Sequence, residues 1–206
     1  MTNAEKLEAL RGEIERCRDC GLCETRTNIV LGEGNPDSPL MIVGEGPGAT
    51  EDATGRPFVG RAGKLLDEAL GELRMSRKHV FICNILKCRA CVIDGRSVRN
   101  RPPLPAEVKA CTKWLERQIE IVNPKVILSL GAPSARFIME RDFRMTKERG
   151  LFFPSKFAPA AIAGLHPAYI LRKHGEEFEE AKGSLVHDID SARKKVIELR
   201  KAGGEL

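Results

Sequence analysis

The sequence predicts an α/β protein, a three-layer α/β/α sandwich built on a central four-stranded parallel sheet. Three observations lead there. Short apolar runs alternate with longer charged, amphipathic segments along nearly the whole chain, and strands that alternate with helices argue for a parallel sheet covered on both faces. The first such run, Leu40-Met41-Ile42-Val43, is continuous, which reads as a buried strand. With 206 residues, 42% of them hydrophobic, the chain suits a single domain over 1–206 with a substantial core. It has no internal repeat and no low-complexity segment.

Residues 4–16 read as a helix, because Leu7, Leu10 and Ile14 recur at helical spacing. The segment TRTNIVLGEGNPDSP that follows is full of turn residues and reads as a loop. Strands are expected at 39–44, 79–84, 126–130 and 159–164, with helices at 62–74, 106–122 and 132–140. Asn123-Pro124 ends the second of these helices. Residues 89–105 carry four arginines and three prolines and are expected to lack regular structure. Residues 143–158 are expected to form a short hairpin or an irregular excursion. A long charged helix over about 176–200 closes the domain, with Trp114 expected in the core.

The chain is organised around residues 44–63, GEGPGATEDATGRPFVGRAG. This glycine- and proline-rich loop lies between the first strand and the helix AGKLLDEALGEL. Ligands of open α/β sheets bind outside the carboxyl ends of the strands, and glycines there allow close approach to the backbone. A loop of this length holding Glu45, Glu51, Arg56, Phe58 and Arg61 is a functional candidate.

No apolar run approaches the length of a membrane span, and the N-terminus MTNAEKLEALRGEIER is charged and amphipathic, unlike a secretory signal. A cytoplasmic protein without membrane partners is expected. The net charge of +5 permits a polyanionic partner without demanding one. Seven cysteines in a reducing compartment argue for metal or cluster ligation over disulfides. Cys17 and Cys20 form a Cys-x-x-Cys pair, close enough for one metal or cluster. Two further ligands must come from Cys23, Cys83, Cys88, Cys91 and Cys111. Cys83 lies inside an apolar strand and reads as structural. Spacing alone does not separate zinc from iron–sulfur.

Six stretches occur in order: CRDC, GEGPGATED, GRPFVGRAG, CNILKCR, NRPPLPAEVKAC and HPAYILR. Together they resemble the family 4 uracil-DNA glycosylases, iron–sulfur members of the uracil-DNA glycosylase superfamily, over about residues 10–195. The resemblance implies a [4Fe–4S] cluster on Cys17, Cys20, Cys88 and Cys111, structural in role. It places Glu45 in the first catalytic motif beside Gly44 and Gly46, Phe58 under the uracil ring, Asn84 on the base edge, His166 at the uracil carbonyl and Glu51 near the C5 edge of the base. The implied activity is base excision repair: hydrolysis of the N-glycosidic bond of uracil in single- or double-stranded DNA, leaving an abasic site. Monomer is the expected state, and a repair or replication protein such as a sliding clamp is a candidate partner.

The chemistry accounts for such residues. A base must leave the stack to be acted on, an aromatic face stacks on any flipped base, and an amide both donates and accepts, as selection of uracil over cytosine requires. A preorganised donor at His166 stabilises the leaving anion. Glu45 orients or deprotonates water. Ile170 and Leu171 are candidate wedges into the duplex, and Arg99, Arg101 and Arg172 are candidate phosphate contacts. Two features depart from the family. The loop between Cys88 and Cys111 is longer, as in the covalently crosslinking X-type group, where a loop histidine traps DNA. Here Asn100 stands at that place and 89–105 holds no histidine, so turnover is expected. Gly46 stands where other branches carry aspartate. No lysine is placed for a Schiff base, so no lyase activity is expected.

Overall fold

A computed structural model describes residues 1–205. Helix α1 (Asn3–Glu15) is opened by a reciprocal cap in which Thr2 Oγ1 accepts from Glu5 N–H and the Glu5 carboxylate accepts from Thr2 N–H. The short α2 (Leu22–Thr25) and β1 (Glu33–Gly34) follow. Then come β2 (Leu40–Gly44), α3 (Ala49–Thr54), α4 (Arg61–Glu72) and β3 (Phe81–Asn84). A two-stranded hairpin, β4 (Cys91–Asp94) and β5 (Ser97–Asn100), leads to α5 (Pro105–Val122), which starts on proline and ends on Asn123 in the left-handed region. The rest is β6 (Val126–Leu130), α6 (Ala132–Met139), α7 (Met145–Glu148), β7 (Phe152–Ser155), β8 (Ala158–Gly164), α8 (Pro167–Ile170) and α9 (Gly175–Ala202).

The main sheet runs β1-β3-β2-β6-β8-β7. Its inner strands β3, β2, β6 and β8 are mutually parallel. Side-chain alternation sends Met41, Val43, Cys83, Ile127 and Ala161 to one face, against α1, α5 and α6. Leu40, Ile42, Ile82, Leu128 and Ile162 go to the other, against α4, α8 and α9. Every residue of β2 and β6 is buried, as parallel strands covered on both faces require. Trp114 is buried on α5.

The four expected parallel strands are therefore the inner part of a mixed, six-stranded sheet. The edges β1 and β7 pair antiparallel with β3 and β8. The first is only Glu33 and Gly34, too short for any alternation to mark it. The second lies in the segment expected to be a hairpin or an excursion, after the unexpected α7. Residues 89–105 are likewise not irregular throughout. Val92-Ile93 and Val98 flank a two-residue Gly95-Arg96 turn with Gly95 at φ 58°, and that turn chemistry, more than the arginine and proline content, decides the local structure. The strand expected from 79 begins at Phe81, after a 3₁₀ turn over Arg77–His79. HPAYILR also folds into a helix, α8, with one wedge candidate turned inward: Ile170 is fully buried in the second core cluster.

Burial of Ile170 carries a measurable consequence. Ile170→Ala is expected to destabilise the fold by about 2–5 kcal/mol, as for other buried aliphatic truncations, with a matching fall in melting temperature. An unchanged melting curve would mean that Ile170 is not the core residue described.

Candidate active site

The four parallel strands end around one cleft of about 970 Å³. Glu45 follows β2, Asn84 ends β3, Leu130 and Gly131 end β6, and His166 follows β8, and all of them line it. The loop between β2 and α4 forms one wall. Glu51 holds that loop: its Oε1 accepts from the N–H of Val59 (2.9 Å) and Gly60 (2.8 Å), and its Oε2 from Gly48 N–H (3.1 Å). Between these anchors Phe58 adopts φ 52°, a strained conformation for a bulky residue. Arg77 donates to the carbonyls of Pro57 and Phe58. A Cβ on Gly63 would lie 1.6 Å from the Phe58 carbonyl oxygen, so only glycine allows α4 to start there. The result is a buried phenyl ring held from several directions.

Gly44 and Asn84 are register partners in the parallel pair. A Cβ on Gly44 would fall 2.4 Å from Asn84 Oδ1 and 2.6 Å from Phe58 Cζ. The bare glycine is what lets amide and ring meet. Asn84 is 2% exposed, and its Oδ1 has no hydrogen-bond partner; buried acceptors are ordinarily paired. At Gly46 an added Cβ would meet only Leu86, at 3.4 Å. Protein packing does not require that glycine, which lines the cleft.

His166 caps α8, its Nδ1 accepting from Ala168 N–H at 3.1 Å. Burial, reinforced by the Arg172 guanidinium and opposed by Glu51, pushes its pKa down to about 4. A neutral ring whose Nδ1 accepts must carry its proton on Nε2. Its centroid lies 5.8 Å from that of Phe58, the planes 32° apart. Gly131, at φ 89°, has no side chain to obstruct it: a Cβ there would be 3.2 Å from His166 Cβ. Burial pushes the Glu45 carboxyl up, with no cation offsetting it.

The cleft thus gathers Glu45, Gly46, Glu51, Phe58, Asn84, Arg101, His166 and Arg172 from the expected set. Glu51 lines the cleft with both oxygens taken by backbone N–H groups, so it also shapes the wall. Two expectations need revision. Arg101 forks onto Glu107 (Nη1 to Oε2, 2.8 Å), which holds it away from a phosphate. Ile170 lies in the core, and Leu171 is half-buried against it. Arg99 is exposed on β5, loosely paired with Asp94 at 3.8 Å. Sequence reasoning missed Arg77, whose role depends on a chain reversal, and Tyr169, 42% exposed on the cleft rim beneath the Arg172 guanidinium. It also missed Arg149, which lines the cleft while its Nη1 donates to both oxygens of the buried Asp188.

A second cavity is lined by Cys17, Cys20, Cys23, Cys88 and Cys111, with Arg26, Lys87 and Trp114. Cys83 is buried in β3, and Cys91 starts β4 outside this cavity. Arg26 Nη1 and Lys87 N–H each donate to a sulfur, of Cys88 and Cys111, at 3.3 Å. Burial raises the thiols of Cys20 and Cys88 and pushes that of Cys111 up to about 11. Lys87 is fully buried beside them, and its Nζ donates to Asn84 O (2.5 Å) and to Gln118 Oε1.

Comparison with known proteins bears on this arrangement. Residues 31–190 match the model of the uracil DNA glycosylase superfamily. The chain belongs to that superfamily. Among superfamily members, it is 42% identical over 193 residues to a type-4 uracil-DNA glycosylase of Thermotoga maritima, covering 93% of this chain and 95% of the relative. It is 40% identical over 204 residues to a type-4 enzyme of Saccharolobus solfataricus, covering 91% of each. A type-4 enzyme of Pyrobaculum aerophilum is 43% identical over 175 residues, 81% of this chain and 85% of the relative. Among the described residues no helix is long and apolar enough to cross a membrane.

The His166 environment sets a pH signature. Its folded pKa of about 4 lies below the unfolded value of about 6.5. Its contribution to stability is therefore complete above the unfolded value and is lost as pH falls through the folded one. Ring-nitrogen NMR should find the neutral Nε2–H tautomer at neutral pH and a midpoint near 4. A midpoint near the unfolded value would contradict the described environment.

Proposed function

We infer that this chain is a monofunctional uracil-DNA glycosylase that hydrolyses the N-glycosidic bond of uracil in DNA and leaves an abasic site, in base excision repair. The observation that carries the reading is the buried, unpartnered Oδ1 of Asn84 beside the Phe58 ring and the His166 imidazole. Uracil N3–H is the donor that this oxygen lacks, and the amide N–H₂ suits uracil O4. Cytosine has no N3–H and carries an amino group at C4, so both pairings fail. Leaving a buried polar group unpaired costs about 1–3 kcal/mol, which disfavours the wrong base.

In the reaction the bond between C1′ and N1 breaks, and its electron pair goes to the base. Charge spreads to O2, where a neutral His166 donates from Nε2–H. A neutral donor suits the task, since it is set before charge develops. Water attacks C1′, and Glu45, its carboxyl raised by burial, takes or steers the water proton while its charge favours the cationic sugar. Among the described residues no lysine lines the cleft, which supports hydrolysis without Schiff-base lyase chemistry. Asn100 lines it instead, its Oδ1 accepting from Arg89 Nε at 2.7 Å. An amide so held is a poor nucleophile, and this favours turnover over covalent trapping.

Cys17, Cys20, Cys88 and Cys111 would hold a [4Fe–4S] cluster. The thiols ring one cavity, with N–H donors on two sulfurs, a donor set that suits a cluster. When bound, the cluster supplies a crosslink between the N-terminal segment, the end of β3 and α5. Cys23 faces the same cavity and is the alternative fourth ligand.

A labelled oligonucleotide with one uracil tests the activity. Strand scission only after hot alkali is expected. A heat-stable protein–DNA band, or an unchanged strand in both lanes, would overturn the reading. Asn84→Ala and His166→Ala should each lower the single-turnover rate by about 10²-fold or more; wild-type rates in both would mean the site lies elsewhere. Purified protein should be brown with broad visible absorbance, whereas colourless protein with stoichiometric zinc would remove the cluster.

A further inference from the structure

Apart from Asn100, the β4–β5 hairpin has no part in the chemistry above, yet it is firmly rooted at the cleft. Arg101 N–H donates to Ala90 O (3.1 Å), Arg101 Nε to Cys91 O (3.2 Å), and Arg89 Nε to Asn100 Oδ1 (2.7 Å). Arg101 is itself forked onto Glu107. The outer end of the hairpin is tightly turned, with Gly95 at φ 58°.

The register decides which side chains share a face. Cys91 pairs with Asn100, and Ile93 pairs with Val98. Residues opposite one another, and residues two apart, point the same way. Ile93 and Val98 therefore stand on the Asn100 face, and Asn100 lines the cleft. Ile93 is 56% exposed and Val98 46%. Neither belongs to a core cluster. They form an exposed apolar cross-strand pair that continues the Asn100 face of the ribbon beyond the cleft lining. Four arginines and one aspartate lie between 89 and 101, so the element suits a polyanion. Flipping a nucleotide leaves a gap in the duplex stack, which apolar side chains can fill, and Ile170 is buried away from that task.

We propose that the β4–β5 hairpin is a duplex-reading element: Ile93 and Val98 pack into the gap left by the flipped nucleotide, while Arg96 at the turn and Arg99 on the opposite face of the ribbon contact phosphates to either side. The proposal rests on the reading of the cleft as a uracil pocket.

The test compares single-stranded and duplex oligonucleotides, each with one uracil, and 2-aminopurine beside it in the duplex. Both side chains are exposed, so Ile93→Ser/Val98→Ser should keep the parent melting temperature. The single-turnover rate on duplex should fall by about ten-fold, which corresponds to about 1.4 kcal/mol of activation free energy, while the rate on single strands stays within about two-fold. The 2-aminopurine signal on binding should change in step with the duplex rate. Equal rates for parent and variant on both substrates, or equal losses on both, would overturn the wedge. Arg96→Gln/Arg99→Gln should lower the slope of log affinity against log salt by about one per arginine lost; an unchanged slope would overturn the phosphate contacts. A parent that releases uracil from neither substrate overturns the cleft reading and the hairpin proposal with it. A parent active on both, with an unaffected variant, overturns the hairpin alone.

Discussion

Glu51 accepts hydrogen bonds from three backbone N–H groups, and much of the cleft follows from that arrangement. Charge-assisted bonds of this kind are stronger than neutral ones, and here they fold a long glycine-rich loop back on itself. That fold holds Phe58 at a positive φ and leaves its ring against Gly44 and Asn84. Arg77 and Gly63 complete the restraint from the other side. Strain at one residue persists because several independent contacts overdetermine it. A side chain held in this way has little freedom left to lose when a ligand packs against it.

Behind Asn84 the two cavities are connected through the protein. Lys87 lies between them, fully buried, with Nζ on the Asn84 carbonyl and on Gln118, whose Nε2 donates to Leu31 O at 2.7 Å. A buried ammonium needs such acceptors. Burial pushes the Lys87 pKa down, and the neighbouring cysteines work against that. The backbone N–H of the same residue donates to the sulfur of Cys111. The end of β3 that carries the amide is thus tied by hydrogen bonds to the segment that carries the cysteines.

The charged groups around the cleft divide by whether they are already engaged. Arg101 and Arg149 are held by buried or nearly buried carboxylates, Glu107 and Asp188. Arg77 is shared between Asp67 and backbone carbonyls. Arg172 stacks on Tyr169 at the rim, and Arg99 has only a distant, solvent-exposed partner. Arginines in ion pairs shape the protein, whereas the freer ones are available to a polyanion. A count of basic residues cannot make this distinction.

The inner sheet was legible because its strands are continuous apolar runs, and the helices because their apolar residues recur at helical spacing. The order of motifs along the chain carried the family, and it brought Glu45, Phe58, Asn84 and His166 into view as a set. The sequence alone did not reveal β1, which owes its strand character to pairing with β3 rather than to its two residues. It pointed Ile170 outward, because HPAYILR looks the same as a loop or as one helical turn, and only the packing of that turn on α9 and α4 decides which side is inside. It offered Arg101 as a phosphate contact, because whether a charged side chain is free depends on partners that the fold supplies, here Glu107. Local chemistry and periodicity are written in the sequence. Which polar groups are left unpaired in a cleft is a property of long-range contacts, and the tertiary structure alone decides it.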